Sequence, residues 1–282
     1  MHGRLAGLSP TVNPVNGGAI RPTAIVSSKA ELGENVFVGD YAIIGDHVTI
    51  GSGSTVMHHA VIDRNTRIGK DCQIFPFASV GTDPQDLTFK GEETWVHIGD
   101  GNVIREFITI NRGTAKGGGI TRIGDHNYFM AYVHIAHDCQ IGSHIQFANN
   151  TTLAGHVEVE DHVGISAFCS VLQFVHIGRN AYIGGYTIIL QDVLPFAKIS
   201  MVRDQYHLYG PNSIGMMRNG YSREFIENIK EAYRIIFKSD LNTSQAVDRL
   251  REELPGLNEC ETIIEFISKS KRGILKNFKP RD

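Results

Sequence analysis

The stretch His134–Cys139, "HIAHDC", sets two histidines, an aspartate and a cysteine within six residues. Such a set suits two chemistries. Imidazole, carboxylate and thiolate are all ligands for a transition metal. Alternatively, a neutral imidazole, with an unperturbed pKa of about 6.5, can take a proton from a hydroxyl near pH 7. A carboxylate beside it would orient the ring and stabilise the imidazolium that forms. Which chemistry is open to the chain depends on which of these side chains share a face.

A repeat assigns the faces. Stepping by six from Ile20 meets Val26, Leu32, Val38, Ile44, Ile50, Val56, Ile62, Ile68, Ile74 and Val80, every one a branched aliphatic residue. A small or β-branched residue precedes most stops by two positions, among them Ala42, Ser54, Ala60 and Cys72, and glycine often follows immediately, as at 33, 39, 45, 51, 69 and 81. The phase returns at Ile98, Ile104 and Ile110, slips by one residue, and runs on from Ile123 to Ile189. A six-residue period fits neither a helix nor a strictly alternating strand. It fits a hexapeptide β-solenoid, in which each hexad supplies one short strand and one turn, the stop and the small residue point inward, and glycine relieves a turn where a Cβ would be strained. Two stretches break the pattern, 82–97 and 112–122, and both read as loops bulging from the coil. Loops on a rigid scaffold are where function concentrates.

The organisation expected is therefore a flexible Gly- and Pro-rich lead-in at 1–19, a solenoid at 20–195, and a connector with a small helical domain at 196–282. In the last part, "SREFIENIKEAYRIIFKS" spaces Phe225, Ile229, Ala232 and Ile236 along one helical face. The final 14 residues carry six Lys or Arg against one Asp.

Within the repeat, Ile135 is an inward stop and Cys139 is the small residue two before Ile141. A metal site using Cys139 with the histidines would need side chains from both sides of one wall. His137 and Asp138 fall in the turn and should project outward. Three hexads make one coil, so residues 18 apart stack in a column at a rise of roughly 4.8 Å. Gly155 and then Gln173 follow His137 in its column, and His156 follows Asp138. A bare glycine there offers a backbone N–H beside an imidazole, an arrangement usable for acyl transfer: base, orienting carboxylate and oxyanion donor. Exposed His, Asp and Gly are also ordinary turn residues, and spacing alone leaves both readings open.

Bulk properties narrow the classes. A formal charge of −3 with 20% charged residues, and no basic domain, gives no sign of a nucleic-acid binder. No apolar run approaches the roughly 18 residues needed to span a bilayer. Four separated cysteines without a CxxC pair argue against a disulfide framework or zinc knuckle, and a reducing cytoplasm is the expected location.

The residues in this order resemble the UDP-N-acetylglucosamine O-acyltransferases that begin lipid A synthesis. The resemblance runs from about Pro22 to the C-terminus and rests on "RPTAIV" at 21–26, "QDL" and "KGE" in 85–92, "RGT" and "GGG" in 112–119, "HIAHDC", "ANNTTLAGHV" at 148–157, "GG" at 184–185 and "QDV" at 191–193. It implies a homotrimer of left-handed parallel β-helices with C-terminal helical domains and active sites between subunits. It implies direct transfer of an (R)-3-hydroxyacyl chain from acyl carrier protein to the sugar 3-hydroxyl, with no metal, cofactor or covalent enzyme intermediate. By position, His137 would be the general base, Asp138 its partner and the Gly155 N–H the oxyanion donor. His134 and His156 would contact sugar or pantetheine, Asp86 would bind the sugar, and Gln173 would line the cleft. Asn212 and Arg218 would reach the nucleotide and phosphate, Gly185 would lie near the floor of the acyl groove, and the basic tail would meet the acidic carrier protein. The chain departs from the family at Leu172, Thr88 and Asn219, where histidine, lysine and arginine are usual. Each departure weakens a polar contact to sugar, phosphate or carrier, which leaves open whether the acceptor is UDP-N-acetylglucosamine or its 3-amino analogue.

Three rival readings fit less well. A related N-acyltransferase usually carries an N-terminal uridine-binding domain, for which hexads starting at residue 20 leave no room. A metal-dependent, carbonic-anhydrase-like solenoid needs converging histidines, and His134 and His137 flank the inward stop. An ice-binding solenoid needs flat threonine ladders, which these turns lack.

Overall fold

The computed structural model describes residues 18–239 and 241–276. The expected lead-in at 1–19 falls mostly outside the described residues, as do Lys279 and Arg281 of the basic tail. From Ile25–Val26 (β1) to Ile188–Ile189 (β25) the chain forms short strands, most of them two residues long. They stack in three parallel sheets, each strand pairing with the strand three further on. Together the sheets make the three walls of a left-handed parallel β-helix. Ile25 pairs with Ile43, and Thr152 with Ser170, so the coil is 18 residues long.

Parallel pairing with an unbroken inward row is what the aliphatic stops enforce. Ile44, Ile62, Ile74, Val80, Ile110 and Ile135 are all buried, and so are Ala42, Ser54, Ala60 and Cys72. Phe129 and Phe147 fill the interior in the middle coils, with ring centroids 5.1 Å apart. Ile20 departs from expectation: it bridges to Val38 but is 53% exposed, because it opens the first described coil and has only one neighbour to cover it.

Glycine's role also differs from the expected one. Apart from Gly81, which opens the first insertion, the glycines after the stops are not in the left-handed region. That conformation falls three residues after the stop, on Asn35, Tyr41, His47, His59, Phe77, Asp138, His156 and others. The left-handed form costs an L-residue roughly 1–2 kcal/mol. On the corner between the third and first walls stacking offsets part of this: Tyr41, His59, Phe77, Phe107 and Tyr132 lie ring on ring at 5.0–5.2 Å. Glycine after the stop answers to a different constraint, the close approach of the next coil. A Cβ on Gly39 would lie 2.5 Å from the His58 nitrogen, and one on Gly51 2.5 Å from the Gly69 carbonyl carbon.

The interruptions are shorter than the broken pattern implied. Strands reach Thr82 and resume at Trp95, then reach Asn111 and resume at Ile120. The loops proper are therefore 83–94 and 112–119. The registers Ile74–Ile104 and Ile104–Phe129 are maintained at separations of 30 and 25 residues. Both loops replace the corner between the first and second walls, in two consecutive coils, and His137 occupies that same corner in the third. This stacking of both insertions on one edge positions the candidate site.

After the last coil the chain makes an antiparallel hairpin, Ala197–Val202 (β26) with Gln205–Pro211 (β27), which extends the third wall. The sequence from 196 onward predicts only a connector at this point. The turn is made by Arg203 and Asp204, both left-handed, without the glycine or asparagine that advertises a tight hairpin. Helices α1 (Ser213–Arg218), α2 (Arg223–Lys238), α3 (Thr243–Glu253) and α4 (Asn258–Lys269) follow. Ser222 caps α2, and an Asn242–Gln245 capping box starts α3. Ile226, Ile229, Ala232, Tyr233, Ile235 and Ile236 form the buried face of α2. The helical part is tied to the prism by Tyr233 Oη donating to the Pro195 carbonyl (2.6 Å), Ser270 Oγ to Asp192 (2.6 Å), and Phe266 against His176 (4.4 Å). Among the described residues no helix is long and apolar enough to cross a membrane.

If glycine after the stop is set by coil-to-coil approach, Gly39→Ala forces backbone apart at an otherwise permissive φ. The expected loss is about 1–3 kcal/mol, typical of overpacking, read as a fall in thermal midpoint. An unchanged midpoint contradicts this account of the repeat.

Candidate active site

The site grows from the two turn residues after Ile135. His137 Nδ1 donates to Asp138 Oδ2 at 2.8 Å, which leaves Nε2 as the basic nitrogen. Asp138 leaves the prism as the repeat requires but does not meet solvent, contrary to the expectation of an outward, exposed carboxylate. The second insertion roofs it. Thr114 gives its amide to Oδ1 (2.8 Å) and its hydroxyl to Oδ2 (2.7 Å), and Gly117 packs so close over the carboxylate that no side chain fits between. The Asp138 amide donates to Thr121 Oγ1 at 2.8 Å. The side chain of Asp138 is fully buried while that of His137 is 15% exposed. The roof keeps the carboxylate dry and leaves the ring reachable. A buried carboxylate is tolerable only with such a set of donors.

Gly155 stands next in the column. A Cβ there would lie 2.5 Å from His137 Cε1 and 2.8 Å from Nε2, so the imidazole occupies the space of the missing side chain. The His156 amide donates to the His137 carbonyl (3.0 Å), locking the two coils together. The Gly155 amide donates to none of the described residues. His156 sits edge-on to His137 (5.2 Å) and is stacked on Phe174 (4.5 Å), its Nε2 3.7 Å from Asp138 Oδ2. His134 lies on the first wall, half-buried, 2.7 Å from Thr109 Oγ1. Burial, then the charge of His137, pushes its imidazole below the ordinary value. Gln173 is exposed one coil beyond Gly155.

Asp86 sits in the first insertion, on the same corner. The Thr88 amide and then the Thr88 hydroxyl hold its carboxyl below the usual range, and the charges of His137 and Lys116 add to this. The structure thus brings together His137, Asp138, Gly155, His156, His134, Gln173 and Asp86. It does not bring Gly185, Asn212 or Arg218 to them within one protomer. Gly185 is on the aromatic corner beside Tyr186. Asn212 caps α1 and donates to the Asn180 carbonyl (3.0 Å), on the third corner, and Arg218 ends that helix. Asn219 joins the same anchor, through Asn180 Oδ1 (2.5 Å). The residues that sequence reasoning missed are Thr114, Gly117 and Thr121: the slip in phase located their loop, but a hexad pattern carries no information about a path that leaves the hexads.

His137, Asp138 and His156 offer ligand atoms within 4.8 Å of one another, a set that could hold a metal. However, Thr114 and His137 already use both Asp138 oxygens, and Cys139 faces inward as expected, its thiol pushed up to about 12 by burial. A groove of about 810 Å³ under α4, lined by Arg122, Glu158, His176 and Lys269 among others, contains none of the site residues named above.

Comparison with known proteins gives the arrangement a family. Residues 192–275 match the model described as UDP-N-acetylglucosamine O-acyltransferase, domain 2, and residues 29–64 and 120–155 match that of bacterial transferase hexapeptides. The acyl-[acyl-carrier-protein]–UDP-N-acetylglucosamine O-acyltransferase of Thermodesulfovibrio yellowstonii is 48% identical over 257 residues, spanning 91% of this chain and 99% of its own. The chain belongs to the UDP-N-acetylglucosamine O-acyltransferase family. Solved structures of family members agree: that from Acinetobacter baumannii superposes with a TM-score of 0.88 at 43% identity, covering 91% of this chain and 99% of its own. The Bacteroides fragilis member gives 0.88 at 42%, covering 92% and 100%.

Because ring and glycine share one volume, Gly155→Ala should expel the imidazole from its contact with Asp138. The downfield Nδ1–H proton resonance of His137 is expected to vanish while the circular dichroism spectrum is unchanged; a retained resonance refutes the packing described.

Proposed function

We propose that the chain moves an (R)-3-hydroxyacyl group from acyl carrier protein to the 3-hydroxyl of UDP-N-acetylglucosamine, the first step of lipid A synthesis, by direct transfer. The observation that carries this reading is a single juxtaposition: an imidazole with Nδ1 tied to a dry carboxylate and Nε2 free, pressed against a glycine whose amide has no other described acceptor. Nε2 takes the proton of the sugar hydroxyl as its oxygen attacks the thioester carbonyl carbon. Asp138 stabilises the imidazolium. The Gly155 amide donates to the oxyanion, an effect worth roughly 3–4 kcal/mol. Collapse breaks the C–S bond, and the proton on His137 passes to the pantetheine thiolate. No metal or cofactor enters these steps.

Three further features support the reading. An apolar strip of exposed Leu172, Phe174, Ile188 and Leu190 runs from Gly155 toward the helical end along the same edge, suited to an acyl chain. Arg272 donates to the Leu190 carbonyl at 3.3 Å, so the basic segment Lys269–Arg272 flanks that strip, where it would attract an acidic carrier. The exposed aromatic column of Tyr41, Phe77, Phe107 and Tyr132, with exposed Ile25 and Ile43 on the adjoining wall, suits burial against other copies of the chain. In a homotrimer closed along that column, Gly185, Asn212 and Arg218 of one subunit would approach His137 of the next. The cytoplasm, where acyl carrier protein and sugar nucleotide occur together, is the proposed location.

His137→Ala should fold and assemble as the parent does, yet lose at least about 100-fold in kcat. Purified protein is assayed with hydroxyacyl carrier-protein donors against UDP-N-acetylglucosamine and its 3-amino analogue. Undiminished turnover by the variant removes His137 as the base, and preference for the amine reassigns the acceptor.

A further inference from the structure

The two insertions meet at a point the mechanism above does not use. Lys116, on the exposed turn Ala115–Gly117 of the second insertion, donates from Nζ to the Thr88 hydroxyl of the first at 3.2 Å. Thr88 passes its amide and hydroxyl hydrogens to a single oxygen of Asp86, Oδ1, at 2.8 and 2.9 Å. Asp86 Oδ2 is left without a donor among the described residues, and two of the three ammonium hydrogens of Lys116 remain open. The neighbouring cation of that insertion, Arg112, is buried and bonds the Gly81 carbonyl and Asp83, so it is closed to a ligand.

The chain Lys116–Thr88–Asp86 therefore displays an ammonium and a carboxylate oxygen side by side, and the charges of both His137 and Lys116 reach the carboxylate. A carboxylate oxygen accepts from a hydroxyl, and an ammonium suits a phosphate. One threonine side chain separates the two groups, so both fit a single small molecule in which ring hydroxyls and phosphate are adjacent. A sugar 1-phosphate ester has that arrangement, whereas the phosphate of a pantetheine arm has no ring hydroxyl beside it. We propose that Lys116 is a substrate-binding residue that holds the sugar-linked phosphate of the acceptor while Asp86 Oδ2 takes a hydroxyl of the same sugar. This rests on the acceptor being a sugar nucleotide, as proposed above. Thr88 acts as the positioning residue that sets the spacing of the two charges.

The test is steady-state kinetics with both substrates varied. Lys116→Met is expected to raise KM for UDP-N-acetylglucosamine about tenfold, the range of one charge-assisted hydrogen bond, with the acyl-donor KM and the thermal midpoint unchanged. Lys116→Arg keeps a cation at the same place with Thr88 and Asp86 intact, and should retain most of the affinity that Lys116→Met loses. A purely structural Lys116, pinning the two insertions, would instead lower kcat and the thermal midpoint together when replaced by Met. An unchanged acceptor KM, a rise confined to the acyl donor, or an equal rise in Lys116→Arg each overturns the assignment of Lys116. Failure of the unaltered protein to acylate the sugar nucleotide overturns the acceptor reading, and this assignment with it, before any variant is made.

Discussion

Backbone pairing at an 18-residue period is the constraint from which the rest follows. Parallel strands sit about 4.8 Å apart, and an imidazole on one coil can turn into that gap only where the residue facing it in the next coil has no side chain. Gly155 is that residue for His137. The contact is a by-product of stacking: it needs no loop to close and no helix to dock. Each inward row of Ile and Val contributes to holding the column, since a one-residue slip would turn the whole row outward.

The insertions complete what stacking begins. A corner alone would leave Asp138 in water, where its hold on an imidazole would be loose and screened. Thr114 and Gly117 remove that water and replace it with two fixed donors. The carboxylate thus sits in a preorganised polar pocket of the kind that stabilises developing positive charge on a neighbouring ring. The roof comes from the coil immediately before His137, Asp86 hangs from the coil before that, and Gly155 and His156 lie in the coil after, so four consecutive turns of one edge supply nearly the whole constellation.

Much of this was legible in the residues themselves. The aliphatic stops determine the winding, and winding alone set His137 beside Gly155 and turned Cys139 inward. Three kinds of information were missing. The hexad rule says which side a residue leaves from but not what later covers it, so Asp138 was expected in solvent. It marks where glycine recurs but not why; the strained φ is borne two residues later by Tyr41, Phe77 and their like, with ring stacking as compensation. Finally, the hairpin after Pro195 turns on Arg203 and Asp204, residues with no strong turn preference as a pair, and so had no local signature. The separation of Gly185, Asn212 and Arg218 from His137 belongs to a different class again. Those residues follow the fold faithfully, and any meeting with His137 lies between chains, which periodicity within one chain does not encode.

Each circuit of the prism touches only the circuit before and the circuit after it. A whole turn can therefore be gained or lost beyond Gln173 without disturbing the imidazole, its glycine or the threonine roof. Such an event lengthens or shortens the exposed edge of Leu172, Ile188 and Leu190 by one strand spacing at a time. In this architecture the reach of the apolar edge is a digital quantity, adjustable in whole circuits while the histidine end stays as it is.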